Sequence, residues 1–144
     1  MKIFKIDGHN LILGDVLEVL STEIKDNSID LIFADPPYNI GKDFNGFKDK
    51  WKVESDYLEW SYTWLNLCIN KLKHNGSLYL MASTQSMPYF DLYLRDRLTI
   101  LSRIVWYYDS SGVQAKKFTV LCTNQFYIAS RTNEIIHLIP QIFW

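Results

Sequence analysis

Hydrophobic positions fall into short runs and helical faces that alternate along the chain. Leu11 to Leu13 is a short apolar run closed by Gly14 and Asp15, after which Val16, Leu17, Val19, Leu20 and Ile24 recur at helical spacing. That pattern predicts a strand, a turn and a helix. Asp26, Asn27 and Ser28 punctuate it. Ile29 to Ala34 (I-D-L-I-F-A) is a near-continuous β-prone run, the kind a strand covered on both faces allows, so it predicts a strand inside a parallel sheet. After a loop from Asp35 to Trp51, the positions Tyr57, Leu58, Trp60, Trp64, Leu65, Leu67, Cys68 and Leu72 form a broad apolar helical face. This helix starts near Ser55 and is expected to stop at Asn75-Gly76, a good C-terminal cap. Gly76 to Ala82 predicts a second buried strand, Tyr89 to Leu98 a helix, and Ile100 to Tyr107 a third strand. Strands and helices alternating in this order imply an α/β fold with a parallel sheet and right-handed crossovers.

The chain has 144 residues, 48% hydrophobic and 22% charged, enough for one domain with a real core. The net charge of -1 supplies no bulk positive field, so any nucleic-acid binding must come from a local basic patch. Aromatic residues are abundant, with 5 Trp, 9 Tyr and 8 Phe, more than core packing usually needs, which leaves some rings for stacking. Trp51, Trp60 and Trp64 are expected to pack the long helix. Cys68 and Cys122 have no metal-like spacing, and His9, His74 and His137 form no ligand cluster, so no metal site is expected. Met1 to Asp7 lacks the layout of a signal peptide, which reads as cytoplasmic. The apolar stretch Ile135 to Trp144 is about half the roughly 20 residues that a membrane span requires.

Asp35-Pro36-Pro37-Tyr38-Asn39 follows the predicted strand Ile29 to Ala34 directly. Open parallel sheets bind ligands beyond the carboxyl ends of their strands, so this loop is a candidate site. Two consecutive prolines fix the backbone and remove two donors. The Asp35 carboxylate and the Pro36 carbonyl are left as neighbouring acceptors with the Tyr38 ring beside them. Such a set suits an amino group on a flat ring. If the two acceptors take both hydrogens of a nucleobase NH2, the nitrogen moves towards tetrahedral geometry and its lone pair can attack an electrophilic methyl in line. Tyr38 would stack on the base face, which requires the base to have left the duplex. The bland alternative is a turn after a core strand.

Several blocks in order carry a wider likeness: S-I-D-L-I-F-A, D-P-P-Y-N-I-G, the upstream Gly14-Asp15, G-S-L-Y-L-M, and Arg103 to Lys117 (R-I-V-W-Y-Y-D-S-S-G-V-Q-A-K-K). Over about residues 10 to 118 the chain resembles the β-class adenine-N6 (N4/N6 amino) DNA methyltransferases. The resemblance implies a Rossmann-like, S-adenosylmethionine-dependent methyltransferase fold, here an incomplete parallel sheet with flanking helices. It implies Asp35, Pro36, Pro37 and Tyr38 as the catalytic loop, S-adenosyl-L-methionine as methyl donor, and double-stranded DNA as partner, in a restriction-modification setting. Transfer would be direct, without a covalent enzyme intermediate. Asp at position 35 favours adenine, while cytosine-N4 enzymes more often carry Ser there. Asp15 and Asp35 are then expected near the cofactor, although Asp15 reads equally well as a helix N-cap. Lys42, Lys116 and Lys117 are the candidate DNA contacts, with Lys48, Lys50 and Lys52 in the same basic stretch. Asp43 and Asp49 interleave these lysines, so a solvated mixed-charge loop is the competing reading. The sequence assigns no oligomeric state.

The family's glycine-rich cofactor turn, of the type D-P-F-x-G-S-G-T-T, lies C-terminal to D-P-P-Y in this class. Here the six glycines are Gly8, Gly14, Gly41, Gly46, Gly76 and Gly112, and none forms G-x-G. Residues 119–144 also change character, with Arg131 and Glu134 their only charged side chains in a chain that is 22% charged. Restoring one T at the Phe118 codon lets codons allowed by the observed residues read Y-G-S-L-Y-E-P-I-L, which recovers the family pattern. Residues 1–118 are therefore expected to be the N-terminal part of a catalytic domain, and residues 119–144 an out-of-frame tail, with the fold poorly determined beyond Phe118. On this reading the chain itself is truncated and inactive. Cytosine-N4 methylation and a non-catalytic remnant with at most weak DNA binding stand as alternatives.

Overall fold

The structure, a computed structural model, describes residues 1–44, 46–107 and 123–131. Asp7 and Gly8, both with left-handed backbone, reverse the chain between β1 (Lys2–Ile6) and β2 (His9–Leu13), which pair antiparallel. The predicted strand at Leu11 to Leu13 is thus one arm of a separate hairpin. Asp15 then caps α1 (Val16–Thr22), its Oδ1 accepting from the Leu17 and Glu18 amides at 2.9 and 3.3 Å. That satisfies donors which the first helical turn leaves unpaired.

β3 (Ile29–Ala34) leads into the Asp35 loop, within which β4 (Asp43–Phe44) and β5 (Phe47–Lys48) form a short antiparallel ribbon. The chain continues through α2 (Glu54–Lys71), β6 (Leu72–Ser83), α3 (Met87–Arg95), β7 (Thr99–Tyr107) and β8 (Thr123–Ser130). α2 ends before the predicted cap at Asn75-Gly76, because Leu72 is already extended and pairs with Ile29. Gly76 serves a different purpose. A Cβ there would sit 2.9 Å from the Ile29 carbonyl oxygen and 3.1 Å from the Lys73 nitrogen, so only glycine lets β6 approach β3 so closely. α3 starts earlier than the apolar spacing predicts, with Pro88 in its first turn, where a missing N–H costs nothing.

The main sheet has the order β3-β6-β8-β7. β3 and β6 are parallel, while β8 runs antiparallel to both β6 and β7. β3, β6 and β7 therefore share one direction, as alternating strands and helices predict. The expected parallel sheet is nonetheless a mixed one, since β8 inserts between β6 and β7. Within the expected tail, Thr123–Ser130 is a strand of the sheet, its register running from Ser77 opposite Ser130 to Ser83 opposite Asn124. The remainder of the expected tail, residues 119–122 and 132–144, is outside the described residues.

One core cluster joins the elements around β6. Leu78, Leu80 and Ala82 alternate onto Tyr57, Trp64, Leu65, Cys68 and Ile69 of α2 and Met87, Phe90 and Leu94 of α3. Each Leu, Met or Phe among them, fully buried, contributes about 1.5–3 kcal/mol of transfer free energy. β3 departs from the prediction of two covered faces. Ile32 and Ala34 pack against the core, but Leu31 and Phe33, which point to the other face, are 37% and 56% exposed. Asp91 pairs with Arg95 within α3 and ties this helix to β7 through an ion pair with Arg103.

Candidate active site

Asp35 leaves the carboxyl end of β3, and the four residues after it are half-buried against α2. The chain then turns back sharply. Asn39 (φ 59°) and Gly41 (φ 78°) adopt left-handed backbone, which these two residue types tolerate best. The return strand grips the outgoing one, with Gly41 N–H donating to the Asp49 carbonyl and Asp49 N–H to the Lys42 carbonyl, both at 3.1 Å. Asn39 Oδ1 accepts from Trp51 N–H at 2.9 Å.

Within the loop, the Tyr38 hydroxyl donates to Asp35 Oδ1 at 2.5 Å. The Pro37 carbonyl accepts from the Tyr57 hydroxyl at 2.9 Å. Among the described residues, nothing donates to Asp35 Oδ2 or to the Pro36 carbonyl. The predicted pair of acceptors is thus present and open. Desolvation raises the Tyr57 pKa, which keeps this phenol a proton donor.

Two cavities flank the loop. One of about 490 Å³ adjoins Tyr38, Trp51, Lys52, Tyr57, Ser83 and Gln85. The other, about 350 Å³ and mostly apolar, adjoins Asp35, Pro36, Val16, Phe33, Trp60 and Trp64. The buried Trp64 indole N–H has no hydrogen-bond partner among the described residues. Burial also pushes the Cys68 thiol at this cavity up to about 11, so it is a packing group there rather than a nucleophile. A groove of about 860 Å³ between α1 and α2 is lined by Leu17, Leu58 and Tyr62 and holds none of the predicted site residues.

Of the predicted site residues, Asp35, Pro36, Pro37 and Tyr38 come together. Asp15 caps α1, and its carboxylate is engaged with that helix's amides. Lys42 is exposed, with Nζ 5.1 Å from the centre of the Phe44 ring. Lys116 and Lys117 are outside the described residues. Trp51, Trp60 and Trp64 pack along α2, with ring centres 5.1 and 6.0 Å apart in succession, as expected. Two residues escaped the sequence reading. Asp49 reads as one charge in a mixed loop, yet it is 2% exposed and its carboxylate accepts from the Tyr38 and Lys42 amides at 3.2 and 2.5 Å. Tyr57 reads as a helix core residue, which its ring is, while its hydroxyl reaches the loop. Among the described residues no three of His, Cys, Asp and Glu converge as a metal site, and no helix is long and apolar enough to cross a membrane.

Comparison with known proteins bears on this site. Residues 29–139 match the profile of a family described as DNA methylase. The chain is 51% identical over 114 residues to the DNA adenine methyltransferase YhdJ of Escherichia coli K12, covering 79% of this chain and 38% of that protein. It is 38% identical over 96 residues to the type II methyltransferase M.BamHI of Bacillus amyloliquefaciens, covering 66% of this chain and 22% of that one. The chain thus spans well under half the length of these relatives. Among solved structures, the PvuII cytosine-N4-specific DNA methyltransferase superposes with a TM-score of 0.62 at 20% identity, over 83% of this chain and 48% of that one. TTHA0409 of Thermus thermophilus, complexed with S-adenosyl-L-methionine, gives 0.60 at 12% identity, over 85% and 53%. These likenesses establish the fold as the Rossmann-like α/β fold of such methyltransferases. The profile match takes in all of β3, the Asp35 loop and the strands behind it, and the chain belongs to the N6/N4 DNA methylase family.

Proposed function

We propose that this chain carries the base-accepting part of an adenine-N6 DNA methyltransferase. The observation behind this reading is the pair of open acceptors, Asp35 Oδ2 and the Pro36 carbonyl, next to a ring that can stack. A flipped adenine on Tyr38 would place its NH2 between them. The two acceptors would draw its hydrogens aside and localise the nitrogen lone pair towards the attacked methyl. Asp35 in its carboxylate form would also stabilise the positive charge that develops on that nitrogen, and the proton would leave to this carboxylate or to solvent.

S-adenosyl-L-methionine supplies an electrophilic methyl when bound. The cavity against Asp35 suits the cationic sulfonium of such a molecule, with that carboxylate at its edge and the rings of Phe33 and Trp60 beside Val16 to line it. Asp15 is proposed to act on the cofactor only through α1, since its own oxygen is engaged by helix amides. Lys42, with Lys116 and Lys117, is proposed to meet DNA phosphates. The chain's short span of its relatives supports a further reading, that it is an inactive part of a longer enzyme with residues 119–144 out of frame.

Methyl transfer from labelled S-adenosyl-L-methionine to DNA, followed by nucleoside mass analysis, tests the reaction. N6-methyladenine that falls at least about 10²-fold with Asp35→Ala is expected of an active form. N4-methylcytosine alone would reject the adenine assignment, and unaltered transfer by Asp35→Ala would reject the site.

A further inference from the structure

The peptide between Pro37 and Tyr38 is held from both ends. Tyr57 Oη donates to its carbonyl at 2.9 Å, and Asp49 Oδ2 accepts from its N–H at 3.2 Å. Both gripping residues are buried, Tyr57 at 1% and Asp49 at 2% exposure. Asp49 Oδ1 takes the Lys42 amide at 2.5 Å as well, so a single carboxylate fixes the loop on either side of its left-handed turn.

The prolines make this grip consequential. The ring of Pro37 restricts its φ to about -65°. Once the peptide after Pro37 is also fixed in its plane, ψ of Pro37 is the one rotation left between the two peptides, and β3, paired to β6, anchors the chain upstream of it. The peptide before it, which bears the Pro36 carbonyl, is then confined to one orientation. A loop of ordinary residues would spread such a constraint over two free dihedrals per residue.

We propose that Asp49 and Tyr57 are positioning residues that aim the Pro36 carbonyl, and so set the angle at which a bound amino group is held. This rests on the reading of that carbonyl as a base acceptor. Neither residue touches the base. Their effect passes through the Pro37–Tyr38 peptide, and it falls on the geometry of transfer rather than on DNA affinity.

Two substitutions separate positioning from packing. Tyr57→Phe removes the hydroxyl and leaves the ring against Trp51, Trp60 and Phe90. Asp49→Asn keeps the size and replaces one of two acceptors with an NH2. In the 144-residue chain, amide exchange and carbonyl ¹³C shifts by NMR read the clasp directly. With Asp49→Asn, the Tyr38 and Lys42 amides are expected to exchange about tenfold faster or more while those of Leu78 and Leu80 stay unchanged. With Tyr57→Phe, the Pro36 carbonyl signal is expected to move. Unaltered protection of Tyr38 together with an unmoved Pro36 signal overturns the proposal. In methyl transfer to DNA, each variant is expected to lose about tenfold or more in kcat, with KM for DNA within about threefold of the parent. A rise in KM with kcat unchanged would overturn the positioning role. If the parent chain methylates no DNA, as its short span of the relatives would allow, exchange and the carbon shift alone decide the clasp.

Discussion

Asp91 shows how a single side chain can set the acid limit of this fold. Burial pushes its pKa up, but hydrogen bonds and charge from Arg95 and Arg103 outweigh it and hold the carboxyl below its usual value of 3.8. A carboxyl depressed in the folded state contributes stability that is present above its unfolded pKa and is lost as pH falls through the folded one. Urea midpoints are therefore expected to drop as pH is lowered below about 3.8, with Asp91→Asn less stable than the parent at pH 7 and the two converging in acid. Parallel curves for the two proteins would contradict this. Legibility in the sequence differed sharply among the acidic residues. Asp35 was readable because two prolines follow it, and Asp15 because a helical pattern starts behind it. Asp49 sits among lysines like any solvated charge, and its burial depends on a turn at Asn39 and Gly41 that brings the chain back over itself.

At the scale of elements, the spacing of apolar residues placed β3, α2, β6, α3 and β7 in the right order and gave β3, β6 and β7 their common direction. It misjudged where α2 stops. Asn75-Gly76 looks like a helix cap from its residue types, whereas the parallel ladder to Ile29 already claims Leu72. Gly76→Ala tests the alternative role. A methyl group 2.9 Å from the Ile29 carbonyl must push β6 away from β3, and a loss of about 1–3 kcal/mol in denaturant unfolding is expected. A gain of stability, the usual result of replacing an unconstrained glycine, would show that the two strands do not meet this closely. The hairpin of β1 and β2 was half legible. Leu11 to Leu13 was recognised as a strand, but its partner Lys2–Ile6 opens with a lysine and carries a second one, and the two form a sheet apart from the main one.

At the scale of the whole molecule, the family was legible because motif blocks recur in order, and the mixed sheet was not, because β8 arises where the residue pattern changes character. Its sequence T-N-Q-F-Y-I-A-S is β-prone through Thr123, Phe126, Tyr127 and Ile128 alone, so pairing by itself does not argue for the frame in which it is written. Sequencing the gene across the Phe118 codon decides that matter. A T run there, with methyltransferase sequence continuing in the neighbouring frame, is expected, and absence of both would sink the out-of-frame reading. The place of β8 between β6 and β7 has a consequence for the order of events during synthesis. Among the described residues β7 pairs with no strand but β8, so a nascent chain released as far as Tyr107 holds a β3–β6 pair and a stranded β7 that has nothing to join. The sheet closes only when residues 123–130 emerge and thread between two strands already made. Assembly of the described sheet thus waits on β8, and chaperones that hold nascent chains have a defined interval in which β7 is their natural client.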